Sequence, residues 1–197
     1  MKKCSVCKLP VDQWPIKPYT SMAKTCSVSC ALDSVEMKKE KEFKKQTRTM
    51  KKESQLKDVR WQHKQCKKVF NKLRRLQEFK WFAERGLHPA CISCGGELGG
   101  DEWACGHFKT VGAQSGLRYD PVNTYLQHNV RCNKNLSADI NGTATTHGYK
   151  QGLINRFGLE KATEIIEYCD KNTAPVKWIP ELMEQWRKEW NKEIREI

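Results

Sequence analysis

The sequence predicts an α-rich α+β fold whose small cores are stabilised by zinc. Three observations lead there. Cysteines fall in close pairs (Cys4-x2-Cys7, Cys26-x3-Cys30 and Cys91-x2-Cys94), and a further pair, His128-x3-Cys132, closes the last group. Two cysteine or histidine ligands at each end of a loop-rich segment suit a structural tetrahedral zinc. Long stretches on both sides of residues 91–135 carry apolar residues at three-to-four spacing, the period of a helix. The apolar set is 38% of 197 residues against 30% charged, too little for one large core, and metal sites can compensate for small ones. The expected organisation is an N-terminal zinc knuckle over residues 1–33, a basic charged helical arm over 34–86, a metal-bearing core over 87–157 and a C-terminal helical cap over 158–197.

The knuckle has Cys4, Cys7, Cys26 and Cys30 as its ligand set, with Pro10, Pro15 and Pro18 keeping the connecting loop out of helix. So short a segment cannot fold on hydrophobic burial, and the metal would supply most of its stability, on the order of 10 kcal/mol. Disulfides are the competing reading. Eight of the ten cysteines lie in or near close pairs and no secretion signal precedes them, which favours metal. Trp14 and Tyr19 suit either a nucleic-acid surface or a cover for the metal site.

Residues 31–58 lack Gly and Pro and are rich in Lys, Glu and Gln, so they read as an exposed helix or frayed linker with little to bury. From Val59 to Arg85 the apolar residues tighten to Cys66, Val69, Phe70, Leu73, Leu76, Phe79 and Phe82, an amphipathic helix ending at Gly86. Its other face carries Lys64, Lys67, Lys68, Lys72, Arg74 and Arg75, and His63 reads as solvated. Beyond the core, Leu159, Ala162, Ile165, Ile166 and Cys169 form one apolar face. A last helix carries Ile179, Met183, Trp186, Trp190 and Ile194, with Pro180 in its first turn. Cys66 and Cys169 fall on apolar faces and read as packing residues. The Trp186/Trp190 pair reads as core or oligomer contact.

Between the ligand pairs of the core, Cys91/Cys94 and His128/Cys132, stand Gly106-His107 and Asn123. A neutral imidazole can take a proton near pH 7, so a histidine and asparagines inside a zinc clamp suit a small metal-dependent nuclease. His107 could instead be structural or zinc-bound, and Asn123 an ordinary turn residue after Asp120-Pro121. Cys105 reads as either a further ligand or a packing residue. A net charge of +13 calls for a polyanionic partner, nucleic acid first and an acidic membrane surface second. No apolar run approaches a membrane span.

The order Cys-x2-Cys, Trp-x2-Gly-His-Phe, Leu-Arg-Tyr-x3-Asn and a ligand pair followed directly by Asn resembles the NinG (Rap) group of phage recombination proteins, within the HNH (His-Asn-His) nucleases. The resemblance implies a ββα-metal core around one Mg²⁺ or Mn²⁺, two structural zinc ions, and cleavage of DNA phosphodiesters. It implies branched substrates such as D-loops or Holliday junctions, action in the cytoplasm of a bacterial host, and a homodimer or host and phage recombination proteins as partners. His107 would be the general base, Asn123 would tie the loop and orient the base, and Asn135 would stand where many relatives have the last histidine. An amide oxygen can ligate Mg²⁺ or Mn²⁺. A second departure is His128-x3-Cys132 in place of Cys-x2-Cys. His147 is an alternative source of the missing imidazole, and Asp101, Glu102, Asp120 and Asp139 are the nearby carboxylates. Lys109, Arg118, Lys134, Lys150 and Arg156 flank the site as candidate phosphate contacts. The alternative is a non-catalytic zinc-containing DNA-binding recombination mediator or regulator. A third reading, an RNA-binding accessory protein, lacks a stacking-sheet motif.

Overall fold

A computed structural model describes residues 2–15, 23–97, 102–135, 141–142 and 147–197, the side chain of Asn135 excepted. The chain divides into two compact units, residues 1–55 and 56–197.

In the first unit the chain turns sharply after Cys7, where Lys8 takes a left-handed φ of 63°. The Cys4 N–H donates to Leu9 O, the Lys8 N–H to Cys4 O, and Lys3 bridges Pro10 in antiparallel fashion. Trp14 is buried with Cys4 and Cys26, and its indole donates to Leu9 O at 3.0 Å. Trp14 therefore covers the cysteine cluster rather than offering a stacking surface. Tyr19 lies outside the described residues. Helix α1 (Val28–Lys57) follows and buries none of its residues, as its sparse apolar content predicts.

Helix α2 (Val59–Ala83) is capped by Asp58, whose carboxylate accepts the Arg60 N–H at 2.8 Å. Its apolar stripe is buried at Cys66, Phe70, Leu73 and Phe82. Strands β1 (Trp103–His107) and β2 (Thr124–His128) form one antiparallel hairpin, with Trp103 opposite His128 and His107 opposite Thr124. Two short 3-10 turns, Ser115–Tyr119 and Pro121–Asn123, lie between the strands. Helices α3 (Tyr149–Phe157), α4 (Leu159–Lys171) and α5 (Pro180–Glu196) complete the unit.

The unit boundary falls inside the expected 34–86 arm. The reason is the apolar stripe of α2, which packs on the hairpin and on α5 while α1 has no such stripe to bury. Within the expected 158–197 cap, Ala162, Ile165 and Cys169 of α4 share one cluster with Ile92, Phe108, Leu117, Tyr125, Tyr149 and Leu153. Trp186 and Trp190 join an intramolecular aromatic cluster with Phe70, Tyr119 and Trp178. His63 belongs there too. It is half-buried, its Nδ1 lies 2.9 Å from the Tyr119 hydroxyl, and its ring meets Trp178 edge-on. The expected solvated histidine is thus a packing residue.

Candidate metal centres and the His107 cavity

The ligand atoms of Cys91, Cys94, His128 and Cys132 lie within 4.8 Å of one another, as do those of Cys4, Cys7, Cys26 and Cys30. These are the two ligand sets that the spacing predicts. The sulfurs of Cys7 and Cys26 stand 3.4 Å apart and those of Cys26 and Cys30 3.5 Å, far beyond a disulfide bond and suited to the edges of a zinc tetrahedron. None of the ten cysteines, all among the described residues, is in a disulfide.

In the core set, Cys91 sits in a tight turn. The Gly95 N–H donates to Cys91 O, the Cys91 N–H to Gly96 O, and Gly95 takes a left-handed φ of 70°. His128 is fully buried. Its Nε2 lies 2.8 Å from Glu97 O and its Nδ1 3.4 Å from the Cys94 sulfur. The carbonyl holds the ring proton on Nε2, which turns the Nδ1 lone pair toward the thiols, as a zinc-binding histidine requires. Trp103 stacks on the same ring at 5.1 Å. The donor set fits structural zinc.

Trp103, Cys105 and His107 alternate onto one face of β1 and line a cavity of about 440 Å³. Its other walls include Lys67, Asn71 and Arg75 of α2, Glu102, Arg118, Asn129 and Asn133. His107 is half-buried, with Nε2 3.0 Å from Arg118 O. Burial pushes its pKa below the ordinary imidazole value. The carbonyls of Arg118 and Cys105 oppose that shift, and the charges of Lys67 and Arg118 add to it. The net result is a neutral ring at pH 7. If that ring spends its one N–H on the Arg118 carbonyl, Nδ1 keeps a lone pair.

Gly106 has a steric reason. A Cβ there would stand 2.0 Å from Gln127 Oε1, and Gln127 braces the Cys91–Cys94 knuckle by donating to Ser93 Oγ at 2.7 Å.

Asn123 is fully buried and ties the loop. Its Oδ1 accepts the Lys109 N–H at 2.7 Å, and its Nδ2 donates to Lys109 O and Leu117 O at 3.0 and 3.1 Å. It holds the chain just beyond His107 without bonding the imidazole itself.

The sequence matches the family model NinG, "Bacteriophage Lambda NinG protein", over residues 1–197. The chain belongs to the NinG family. It is 30% identical to the protein ninG of Escherichia phage 933W over 114 residues, 58% of this chain and 51% of that one. The protein ninG of Escherichia phage lambda is 29% identical over 114 residues, 58% and 50% of the two chains. That of Enterobacteria phage H19B is 37% identical over 82 residues, 42% and 37%. The chain thus spans about half the length of the curated relatives it matches, or less. No solved structure matches it.

The remaining candidates divide sharply. Arg118 lines the cavity, whereas Lys134 and Lys150 are simply exposed. Arg156 is turned inward. It pairs with buried Glu78 at 2.7 Å and donates to Ala90 O at 2.7 Å, so it is a structural residue rather than a free phosphate contact. Lys109 is paired with Asp170. Cys105 is buried, its thiol pushed up to about 12 by burial, and it belongs to neither ligand set; it packs.

His147 does not take the place of the missing imidazole at the His107 cavity. Its Nε2 lies 3.1 Å from Ile92 O, and it lines a separate cavity beside Cys91 and Gly95. Of the carboxylates, Asp120 is used in capping the Pro121 turn through the Val122 N–H and in accepting the Tyr168 hydroxyl, and Glu102 lines the cavity. Asp101, Asp139 and the Asn135 side chain lie outside the described residues.

Sequence reasoning missed Glu78. Its carboxylate accepts the Leu126 N–H at 3.0 Å and pairs with Arg74 and Arg156, while Arg74 also bonds Thr124 through both Oγ1 and the carbonyl. A signal was present. Glu78 lies four residues after Arg74, among the buried positions of α2.

Proposed function

We propose that the protein is a divalent-metal-dependent DNA endonuclease of the HNH type, acting on branched recombination intermediates. The observation that carries this reading is a neutral, half-buried His107 at the end of β1, facing a cavity with three cations, Lys67, Arg75 and Arg118, and a single described carboxylate, Glu102. A phosphodiester needs both a base for the attacking water and positive charge for its oxygens. Membership of a phage family supports a role in phage DNA metabolism, and the net charge of +13 supports a nucleic-acid partner.

In this reading Asn123 fixes the loop beyond His107, and the imidazole accepts a proton from water placed beside the phosphorus. Arg118 lines the same cavity and would meet the phosphate oxygens. Glu102, Asn129 and Asn133 offer oxygen ligands on the cavity that suit Mg²⁺ or Mn²⁺, with Asn135 as a further candidate. A cation held there would stabilise charge on the phosphate and the leaving oxygen. The zinc of the core set would have a different task, to hold the hairpin whose first strand ends at His107 and whose second begins just after Asn123.

The test is direct. Purified protein is incubated with four-way and D-loop DNA, with Mn²⁺ or Mg²⁺ added to metal-depleted buffer that leaves the zinc in place. Cation-dependent nicking that disappears in His107→Ala is the expected result. Binding without cutting under every cation would replace this reading with the non-catalytic DNA-binding one.

A further inference from the structure

Lys67, Asn71 and Arg75 lie four residues apart in succession on α2, so they form one stripe along the helix. All three line the His107 cavity, although α2 stands outside the segment 91–135 that carries the motif. We propose that this stripe, together with Arg118, is a phosphodiester-binding cradle that seats one DNA backbone strand between α2 and β1. The proposal takes the cavity as the place where DNA is bound, and so rests on the nuclease reading only for the chemistry that follows binding.

Four observations support it. First, three other cations around the hairpin are neutralised locally: Arg74 and Arg156 by Glu78, and Lys109 by Asp170. Lys67 has no ion-pair partner among the described residues, and one carboxylate, Glu102, shares the cavity with three cations. A concave surface with such an excess focuses positive potential inward.

Second, Arg118 Nε is buried and has no hydrogen-bond partner among the described residues. A buried donor left unmet is costly, and a turn of the guanidinium that opens this edge to the cavity would let a phosphate oxygen satisfy it with a charge-assisted bond. Third, Arg75 Nη1 donates to Trp103 O at 3.1 Å, which fixes one edge of its fork against the strand that ends at His107. Fourth, the carboxamide of Asn71 lies between the two cations of the stripe and can donate to a phosphate oxygen without adding charge. At about 440 Å³, the cavity has room for one backbone segment.

The test measures affinity of the full zinc-loaded chain for a fixed four-way junction across a salt series, by fluorescence anisotropy without Mg²⁺ or Mn²⁺. Lys67→Gln is compared with Lys72→Gln, an exposed residue of α2 outside the cavity. Lys67→Gln should weaken binding and flatten the plot of log K against log salt by about one unit of slope. Lys72→Gln should do neither to the same extent, and Arg75→Lys should bind less tightly than wild type, because a point charge cannot replace the fork. Zinc content and thermal midpoint of Lys67→Gln should match wild type.

Unchanged affinity and slope in Lys67→Gln would overturn the cradle. Equal losses in Lys67→Gln and Lys72→Gln would also overturn it, showing a diffuse field rather than a site. The outcomes separate from those of the nuclease reading. Lys67-dependent binding with no cleavage under any cation keeps the cradle and removes the nuclease. Cleavage insensitive to Lys67→Gln does the reverse.

Discussion

Burial gives His107 a pH signature that can be measured in two ways. Its pKa in the folded chain lies below the unfolded value of about 6.5. If His107 is the general base of the proposed nuclease, it stays competent down to that lowered value, and the acid limb of kcat/KM should have its midpoint below about 6.5. Stability follows the same shift. Between the folded and unfolded values the unfolded chain binds the extra proton, so the contribution of His107 is full above about 6.5 and is lost as pH falls through the folded value. Denaturant titrations of wild type and His107→Ala across this window should converge at low pH. The same substitution should lower the cleavage rate roughly 10²–10⁴-fold and leave zinc content unchanged, since His107 is outside both ligand sets. Loss of zinc instead would mark it as structural. Gly106 beside it is as constrained. Gly106→Ala places a methyl against Gln127 and should cost about 1–3 kcal/mol, read as a shifted urea midpoint with weakened zinc retention.

At the scale of elements, α2 does two jobs with neighbouring residues. Its buried stripe meets α5 and the hairpin, and Glu78 within that stripe clamps Arg74 and Arg156 while accepting a strand amide from Leu126. Removing the carboxylate charge leaves two buried guanidinium groups without a counter-charge. Glu78→Gln should therefore destabilise the second unit by about 3–5 kcal/mol, checked by equilibrium unfolding. Replacing Glu78 and Arg156 together with apolar residues should recover part of that loss, because the desolvation of both charges is removed. On the far side of the hairpin, α3 sits directly on the Cys91–Cys94 knuckle. The Gly148 N–H donates to Ser93 O, and a Cβ at Gly152 would stand 1.6 Å from Ile92 O. Only glycine permits that approach.

For the whole molecule, the two ligand sets fall in different units. Cys4→Ser should remove one zinc and unfold the N-terminal knuckle alone. Cys91→Ser should remove the other and disrupt the hairpin. Elemental analysis beside amide NMR spectra checks both, and loss of both zinc ions from either single variant would refute independence. Much of this plan was legible in the sequence because ligand spacing and helical period are local codes. Cys91, Cys94, His128 and Cys132 meet as their spacing requires, and Phe70, Leu73 and Phe82 mark the buried face of α2. What a residue type cannot reveal is which way a cation turns. Arg156 and Lys109 carry the charge expected of a phosphate contact, yet tertiary partners hold them. The cavity residues Lys67, Asn71 and Arg75 are distant in sequence from His107 and meet it only through packing. The boundary at 55 was legible as the change near Val59 from a stretch with little to bury to an amphipathic helix, although the expected 34–86 arm spans both.

The pairing of β1 with β2 makes the hairpin intolerant of length change. Trp103, Cys105 and His107 share a face with Leu126 and His128, and Gly106 and Gln127 share the other. Because side chains alternate, one residue inserted within either strand would send the following positions to the opposite side. The imidazole at 107 would exchange faces with a glycine, or the ligand at 128 with its neighbour, and no rotamer could restore both. Loop lengths outside the pair can drift. The five-residue strands cannot, and length variants of this protein should keep their fold and bound metal only where the added or missing residue falls outside 103–107 and 124–128.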